Sequence, residues 1–183
     1  MYLRDFERAL QAIDPTVVLP YWDWAFDSQV PEHSLIFTHA FLGGNRGPVV
    51  DGSFAHWSVS YLQPHVLQRD WRQAFSFRST ELINAYIATS PIYDEFRKNV
   101  QLAANRVHVN IGGDMLTSVA PNDPIFWLHQ AFVDKLWADW QRRHPEEAHR
   151  INGVLRDGTP VQPSSPLPGY GTRVDSVFDT HRL

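Results

Sequence analysis

The protein has 183 residues and 43% of them are hydrophobic, so we expect a single domain over residues 1–183 with one substantial core. Its formal net charge of −4 gives no basic surface for nucleic acid, and no apolar run has the length of a membrane span. Because cysteine is absent from the sequence, disulfides and thiolate metal sites are excluded, and any metal must be held by nitrogen or oxygen ligands.

The first half of the sequence predicts one helix followed by long irregular loops. The helix covers Tyr2 to Ile13, and Asp14-Pro15 ends it. Its apolar stripe begins at the first turn, so we expect it to lack a packing neighbour. The run VVLPYWDW at 17–24 predicts a buried aromatic segment, and 26–64 is rich in Gly, Pro, Ser and Asp, which favours loops with short strands at most. The histidines of this region share no helical face, so we expect them to be surface or packed residues (His33, His39, His56, His65).

The second half predicts three further helices. Val66 to Phe77 is a strand or a short turn around Trp71, and Thr80 precedes a helix over Glu81 to Ala88. Pro91 opens a longer helix that ends at Gly112-Gly113. Residues 151–169 contain four prolines, so we expect 151–183 to be a segment that packs on the helices. The sequence assigns no cellular compartment, since no signal peptide precedes the first helix.

The last helix is the best-marked element of the sequence. Asp123 can accept hydrogen bonds from the free amides of its first turn, and Pro124 suits its first position. Apolar residues then recur at three- and four-residue spacing, which predicts a buried amphipathic helix (Ile125, Leu128, Phe132, Leu136, Trp140).

The run DPIFWLHQAFVDKLWADWQ, preceded by NRVHVNIGGDM, resembles the second copper-binding motif of the tyrosinase family. This family of type-3 copper proteins includes tyrosinases, catechol oxidases and molluscan hemocyanin units. LPYWDWAFD and FLGGNRGPVVDGSFAHW fit the same family, so the resemblance extends over nearly all of the sequence. It implies a mainly α fold: the remnant of a tyrosinase-like four-helix bundle, with long irregular loops and few short strands.

The resemblance also implies which residues would hold copper. In the family pattern the three ligands of the second copper match Ala104, His108 and Gln130, and only His108 is a histidine. His129 is the first histidine of the family's pair, but one residue along a helix turns it about 100° away from Gln130. The family stretch YLxxFERAL follows a ligand of the first copper, which places that whole site before Met1. Of six expected ligands, we therefore expect one to remain.

Three more positions match family residues that support the site. Asn105 matches an asparagine that positions a phenol-deprotonating water, and Gln101 stands where its glutamate partner is expected. A glutamine cannot accept that proton at neutral pH. Asp134 matches a supporting aspartate of the copper site, and here we expect it to bond His108 or Gln130 instead.

These matches predict a tyrosinase-family domain that is inactive on its own. The family oxidises phenols and catechols to quinones with dioxygen, whereas one imidazole does not hold a copper ion in a defined geometry. We expect copper to be absent or weakly bound, and His108 to be a core histidine bonded to Asn, Gln or Asp neighbours. Two alternatives remain: a fragment or split subunit whose partner chain, or second copy, binds the Tyr2–Ile13 helix, and a copper-free module that binds a phenolic small molecule.

Overall fold

The computed structural model describes residues 1–155, 157–167 and 169–178. The helices of this part are α1 (Tyr2–Gln11), α2 (Thr80–Thr89), α3 (Tyr93–Ile111) and α4 (Pro124–Arg143). Three antiparallel pairs of short strands accompany them: β1 (Arg46–Pro48) with β4 (Gln68–Asp70), β2 (Ser58–Val59) with β3 (His65–Val66), and β5 (Pro166–Leu167) with β6 (Thr172–Arg173). The predicted mainly α class, with long irregular loops and few short strands, is confirmed.

The helix bounds differ from the predicted ones by one or two residues. Helix α1 stops at Gln11 rather than Ile13, and beyond it the Asp14 carboxylate accepts the backbone N–H of Thr16 at 2.9 Å in a local turn. Helix α2 includes Thr80, which the sequence predicted as its cap, and α3 starts two residues after Pro91.

The described residues form two compact units. The first contains Met1–Val18, Asn84–Gln101 and the described part of Val133–Leu183, and the second contains Leu19–Ile83 and Leu102–Phe132. That the protein behaves as one domain stays a prediction.

The core of the first unit is built around Trp140, which is fully buried. Its ring stacks on Phe96 with ring centroids 5.3 Å apart, and its indole N–H donates to the carbonyl of Ser90 at 2.8 Å. The side chain of Gln141 donates to the Phe178 carbonyl at 3.0 Å, and Phe178 is buried. Arg156, Pro168 and residues 179–183 of the predicted segment 151–183 lie outside the described residues.

Edge-to-face aromatic contacts form the core of the second unit. The rings of Trp22 and Phe37 lie 5.6 Å apart, and Trp24 meets Phe77 at 6.3 Å. Trp22 and Trp24 are buried, which confirms the predicted aromatic segment at its C-terminal end, whereas Val18 is exposed.

Two glycines bring the end of α3 against β4. Gly112 and Gly113 have φ angles of +64° and +52°, a region that glycine adopts without strain. A Cβ on Gly112 would lie 2.3 Å from the carbonyl oxygen of Asp70, and one on Gly113 would lie 2.2 Å from that of Gln68. Both positions therefore require glycine, and they fix the loop that follows α3.

None of the helices in the described ranges is both long and apolar enough to cross a membrane.

Candidate metal centre

The start of α4 is held by a buried ion pair. Arg69 and Asp123 are both fully buried, and the guanidinium donates to the two carboxylate oxygens at 2.8 and 2.9 Å. Asp123 also accepts the backbone N–H of Ile125 at 3.0 Å, which confirms the predicted cap. The first turn of α4 is thus fixed from two directions, and with it the positions of His129 and Gln130.

Asp123 was predictable from the sequence as a cap, whereas Arg69 was not among the predicted site residues. Leu67, Arg69 and Trp71 alternate along the sequence and are all buried, so they share the inward face around β4. An arginine in such an apolar alternation needs a carboxylate partner in the interior, and this pattern was the available signal. The remaining donors of Arg69 reach the carbonyls of three loop residues (Leu42, Gly43, Gly44).

His108 on α3 is oriented by a backbone carbonyl. Its Nδ1 lies 2.7 Å from the carbonyl oxygen of Met115, which can only accept, so Nδ1 is the nitrogen that donates in this contact. The predicted partners were Asn, Gln or Asp side chains, and that prediction was wrong because the Gly112-Gly113 turn returns the backbone over the imidazole. This arrangement of a histidine is the one that metal ligands commonly have.

His129 on α4 is the second imidazole of this region. It is fully buried, with a relative exposure of 0%, and neither ring nitrogen has a hydrogen-bond partner among the residues described. Its ring is perpendicular to that of His108, with centroids 4.7 Å apart. Burial lowers the pKa of His129 well below its ordinary value, and charge on His108 acts in the same direction, so the imidazole is neutral at pH 7.

The other predicted site residues lie at different depths. Ala104 is buried one helical turn before His108, and Gln130 is half-buried. Asn105 and Asp134 are exposed. Gln101 is exposed as well, and its side-chain oxygen accepts from Arg97 at 2.9 Å. The functional roles assigned to these positions stay predictions.

The chain is similar in sequence to known proteins. Residues 1–143 match the model of the common central domain of tyrosinase. The chain belongs to the tyrosinase family. It is 39% identical to a tyrosinase of Streptomyces antibioticus over 87% of this chain and 65% of that protein, and 41% identical to one of Streptomyces glaucescens over 79% and 61%. A tyrosinase-like protein of Diaporthe leptostromiformis is 34% identical over 86% of this chain and 50% of its own length.

The chain therefore spans less than two thirds of the length of these tyrosinase-family relatives. Membership of the family implies copper in the relatives, and the donors available here can be compared with what copper requires. The three positions predicted for the second copper offer a methyl group, an imidazole and a neutral amide (Ala104, His108, Gln130). His129 adds a second imidazole beside His108, but the described residues contain no group of three or more His, Cys, Asp or Glu that could hold a metal. These donors do not fit a three-imidazole copper ion.

His65, which lies outside the predicted site, also contacts the loop after α3, as His108 does. The His65 Nε2 lies 2.9 Å from the carboxylate of Asp114, and its Nδ1 lies 2.7 Å from the carbonyl oxygen of Gln63. Both partners accept, so the doubly protonated imidazolium satisfies both contacts. The hydrogen bond to the Gln63 carbonyl, followed by the one to Asp114, raises the pKa of His65. The sequence grouped His65 with surface or packed histidines, and its spacing to Asp114 gave no signal of this pair.

Proposed function

We propose that this chain is a tyrosinase-family domain that keeps the family's fold and does not oxidise phenols on its own. The observation that carries the proposal is the pair of residues at two ligand positions, the buried methyl group of Ala104 and the amide of Gln130. Oxidation of phenols with dioxygen in this family depends on copper held by histidines, and two of the three second-copper positions here cannot supply an imidazole.

His129 does not replace the lost ligands. It neighbours His108, but two imidazoles leave a copper ion short of the third nitrogen that completes the family's geometry. Gln130 offers only a neutral amide oxygen, which is a weak donor for copper beside imidazole. We expect a weak, adventitious affinity for copper and no defined site.

Copper loading of matched variants tests the proposal. After loading and dialysis, we expect the unmodified protein to retain below about one tenth of an equivalent of copper, because a poorly completed site releases its metal. The variant Ala104→His/Gln130→His restores three imidazoles and should retain close to one equivalent, with a three-nitrogen pattern in electron paramagnetic resonance. The control Asn105→His/Gln130→His places the new imidazole on an exposed position about 100° around α3 and should not restore binding.

One result would overturn the proposal. If the unmodified protein retained a stoichiometric copper ion on three nitrogens, or formed quinone from a catechol after loading, the domain would be a copper enzyme despite Ala104 and Gln130. Circular dichroism of each variant checks that a failure to bind is not a failure to fold.

The second candidate function is that of a subunit that binds a partner chain, and the exposure of α1 favours it. No residue of α1 is fully buried, and Ile13, next in the predicted apolar stripe, is 86% exposed. The length of its relatives leaves room for a further polypeptide to cover this face. Light scattering of the protein purified from its source should then give a mass above that of one chain, and Leu10→Glu should return it to the monomer mass.

A phenolic ligand is the remaining proposal for a partner. Titration with catechol or tyrosine, followed by thermal denaturation, should raise the melting temperature if the region around His108 binds an aromatic ring. The variant His108→Leu should abolish the rise, and an unchanged melting temperature of the unmodified protein would remove this proposal.

A further inference from the structure

Asn152 and Gly153 form a distinctive junction where the C-terminal segment meets the start of α3. The Asn152 side-chain oxygen accepts the backbone N–H of Asp94 at 2.8 Å, so it caps a free amide in the first turn of α3. Gly153 follows with a φ angle of +130°, and its carbonyl accepts the N–H of Val161 at 3.0 Å. No other asparagine in the sequence precedes a glycine.

We propose that this Asn152–Gly153 junction is a site of spontaneous modification by deamidation. The Gly153 nitrogen, losing its proton to solvent, attacks the amide carbon of the Asn152 side chain. A new C–N bond forms, the bond from that carbon to the amide nitrogen of Asn152 breaks, and ammonia leaves, which gives a five-membered succinimide. Water then opens the ring to an aspartate or an isoaspartate. The sequence of steps consumes one water and releases one ammonia, with no oxidant or cofactor.

The local structure favours the first step. Gly153 has no Cβ to obstruct the approach, and its N–H makes no hydrogen bond within the described ranges, so the nucleophile is available. The attacked carbonyl develops negative charge on the oxygen that already faces the Asp94 N–H. A fixed donor at the position of a developing oxyanion lowers the barrier of such an addition.

The two products should affect the structure differently. An aspartate keeps the oxygen that accepts from the Asp94 N–H, and its charge lies at the start of a helix, where a negative charge is favourable. The neighbouring Asp94 carboxylate already pairs with Arg97 and Lys98 at 2.7 and 2.6 Å, which offsets repulsion between the two carboxylates. An isoaspartate adds one atom to the backbone, which displaces the cap and the Gly153–Val161 hydrogen bond.

The experiment is to age the purified 183-residue protein at mildly alkaline pH and to follow each asparagine by peptide mapping. We expect Asn152 to convert faster than every other asparagine by roughly tenfold, the effect of a barrier lower by about 1.4 kcal/mol. The same measurement in urea separates the effect of the fold from that of the sequence. A rate in the native protein equal to or above the rate in urea supports the proposal, whereas a slower native rate shows that the cap protects Asn152 and overturns it.

Two variants complete the test. Asn152→Gln retains an amide but would form a six-membered ring, so conversion at this position should fall to the background of the other asparagines. The variant Asn152→Asp represents the aspartate product and should resist proteolysis within 153–161 as the unaged protein does. The aged isoaspartate fraction should be cleaved there several-fold faster. Equal cleavage of both products would refute the predicted displacement of the Gly153–Val161 contact.

Discussion

Replacing Asp123 with asparagine should destabilise the protein severely, because Asp123 is the only carboxylate that the described structure places on the guanidinium of Arg69. Both side chains are fully buried and share two hydrogen bonds. The substitution removes the negative charge and leaves a buried arginine without its counter-charge, a change that typically costs about 3–5 kcal/mol. Asparagine is itself a good N-cap residue, so the contact to Ile125 should contribute little to the loss. The cost is a large fraction of the roughly 5–15 kcal/mol by which domains are stable.

Urea denaturation followed by tryptophan fluorescence measures this cost. The matched control is Asp70→Asn, since Asp70 forms an ion pair of the same kind with Arg72 but both side chains are more than half exposed. Exposed pairs contribute about 0–1 kcal/mol, so the control should barely move the midpoint. Equal losses for Asp123→Asn and Asp70→Asn would refute the reasoning.

A double-variant cycle separates the pair from its surroundings. Arg69→Met replaces the guanidinium with an apolar side chain of similar length, and alone it leaves the Asp123 carboxylate buried without a counter-charge. The variant Arg69→Met/Asp123→Asn removes both charges, so its loss should be smaller than the sum of the two single losses. Simple additivity would show that the two side chains act independently.

The remaining predictions concern a pH-dependent contact, a buried indole and a glycine turn. Because the pKa of His65 is raised in the folded protein, the stabilising contribution of His65 is complete below the ordinary histidine pKa and is lost as the pH rises through the folded pKa. The variant His65→Gln should therefore lose more free energy of unfolding at acidic than at alkaline pH. A loss that grows with pH would contradict this prediction. Trp140→Phe removes the donor to the buried Ser90 carbonyl and should cost about 1–3 kcal/mol in the free energy of unfolding, measured by urea denaturation. In the same assay Gly113→Ala should lower the free energy of unfolding more than Gly47→Ala. Both glycines have positive φ, so an alanine at either position costs about 1–2 kcal/mol in backbone strain. At Gly113, but not at Gly47, the new Cβ would also meet a carbonyl oxygen of β4.

The helices were predictable because local chemistry determines them. Periodic apolar residues and the Asp123-Pro124 start gave α4 with its first residue correct, and Gly112 marked the end of α3. At the end of α1, an apolar stripe extended the prediction to Ile13, whereas the helix ends at Gln11 and a turn around Asp14 follows. Hydrophobic periodicity records which residues face the interior, but it does not record the backbone hydrogen bonds that decide where a helix ends.

The contacts that orient the candidate site were not predictable in the same way. His108 bonds to the carbonyl of Met115, and every residue has such a carbonyl, so no residue type identifies the partner. Arg69 and Asp123 are 54 positions apart, and only folding brings them together. A sequence pattern can place Arg69 on a buried face, but it does not choose among the carboxylates that could pair with it.

The contacts that hold this region do not depend on the predicted ligand positions. The contacts that hold the region come from the backbone of the loop after α3 and from the buried ion pair at the start of α4, and neither uses the side chain of Ala104 or Gln130. Alanine and glutamine are also good helix formers, so both residues suit α3 and α4 by their own helix propensity. His129 differs, since a buried imidazole without a hydrogen bond is costly to keep. Among the described residues, His129 is thus a buried histidine whose ring nitrogens have no partner, and the contacts that hold the ends of α3 and α4 do not depend on Ala104 or Gln130.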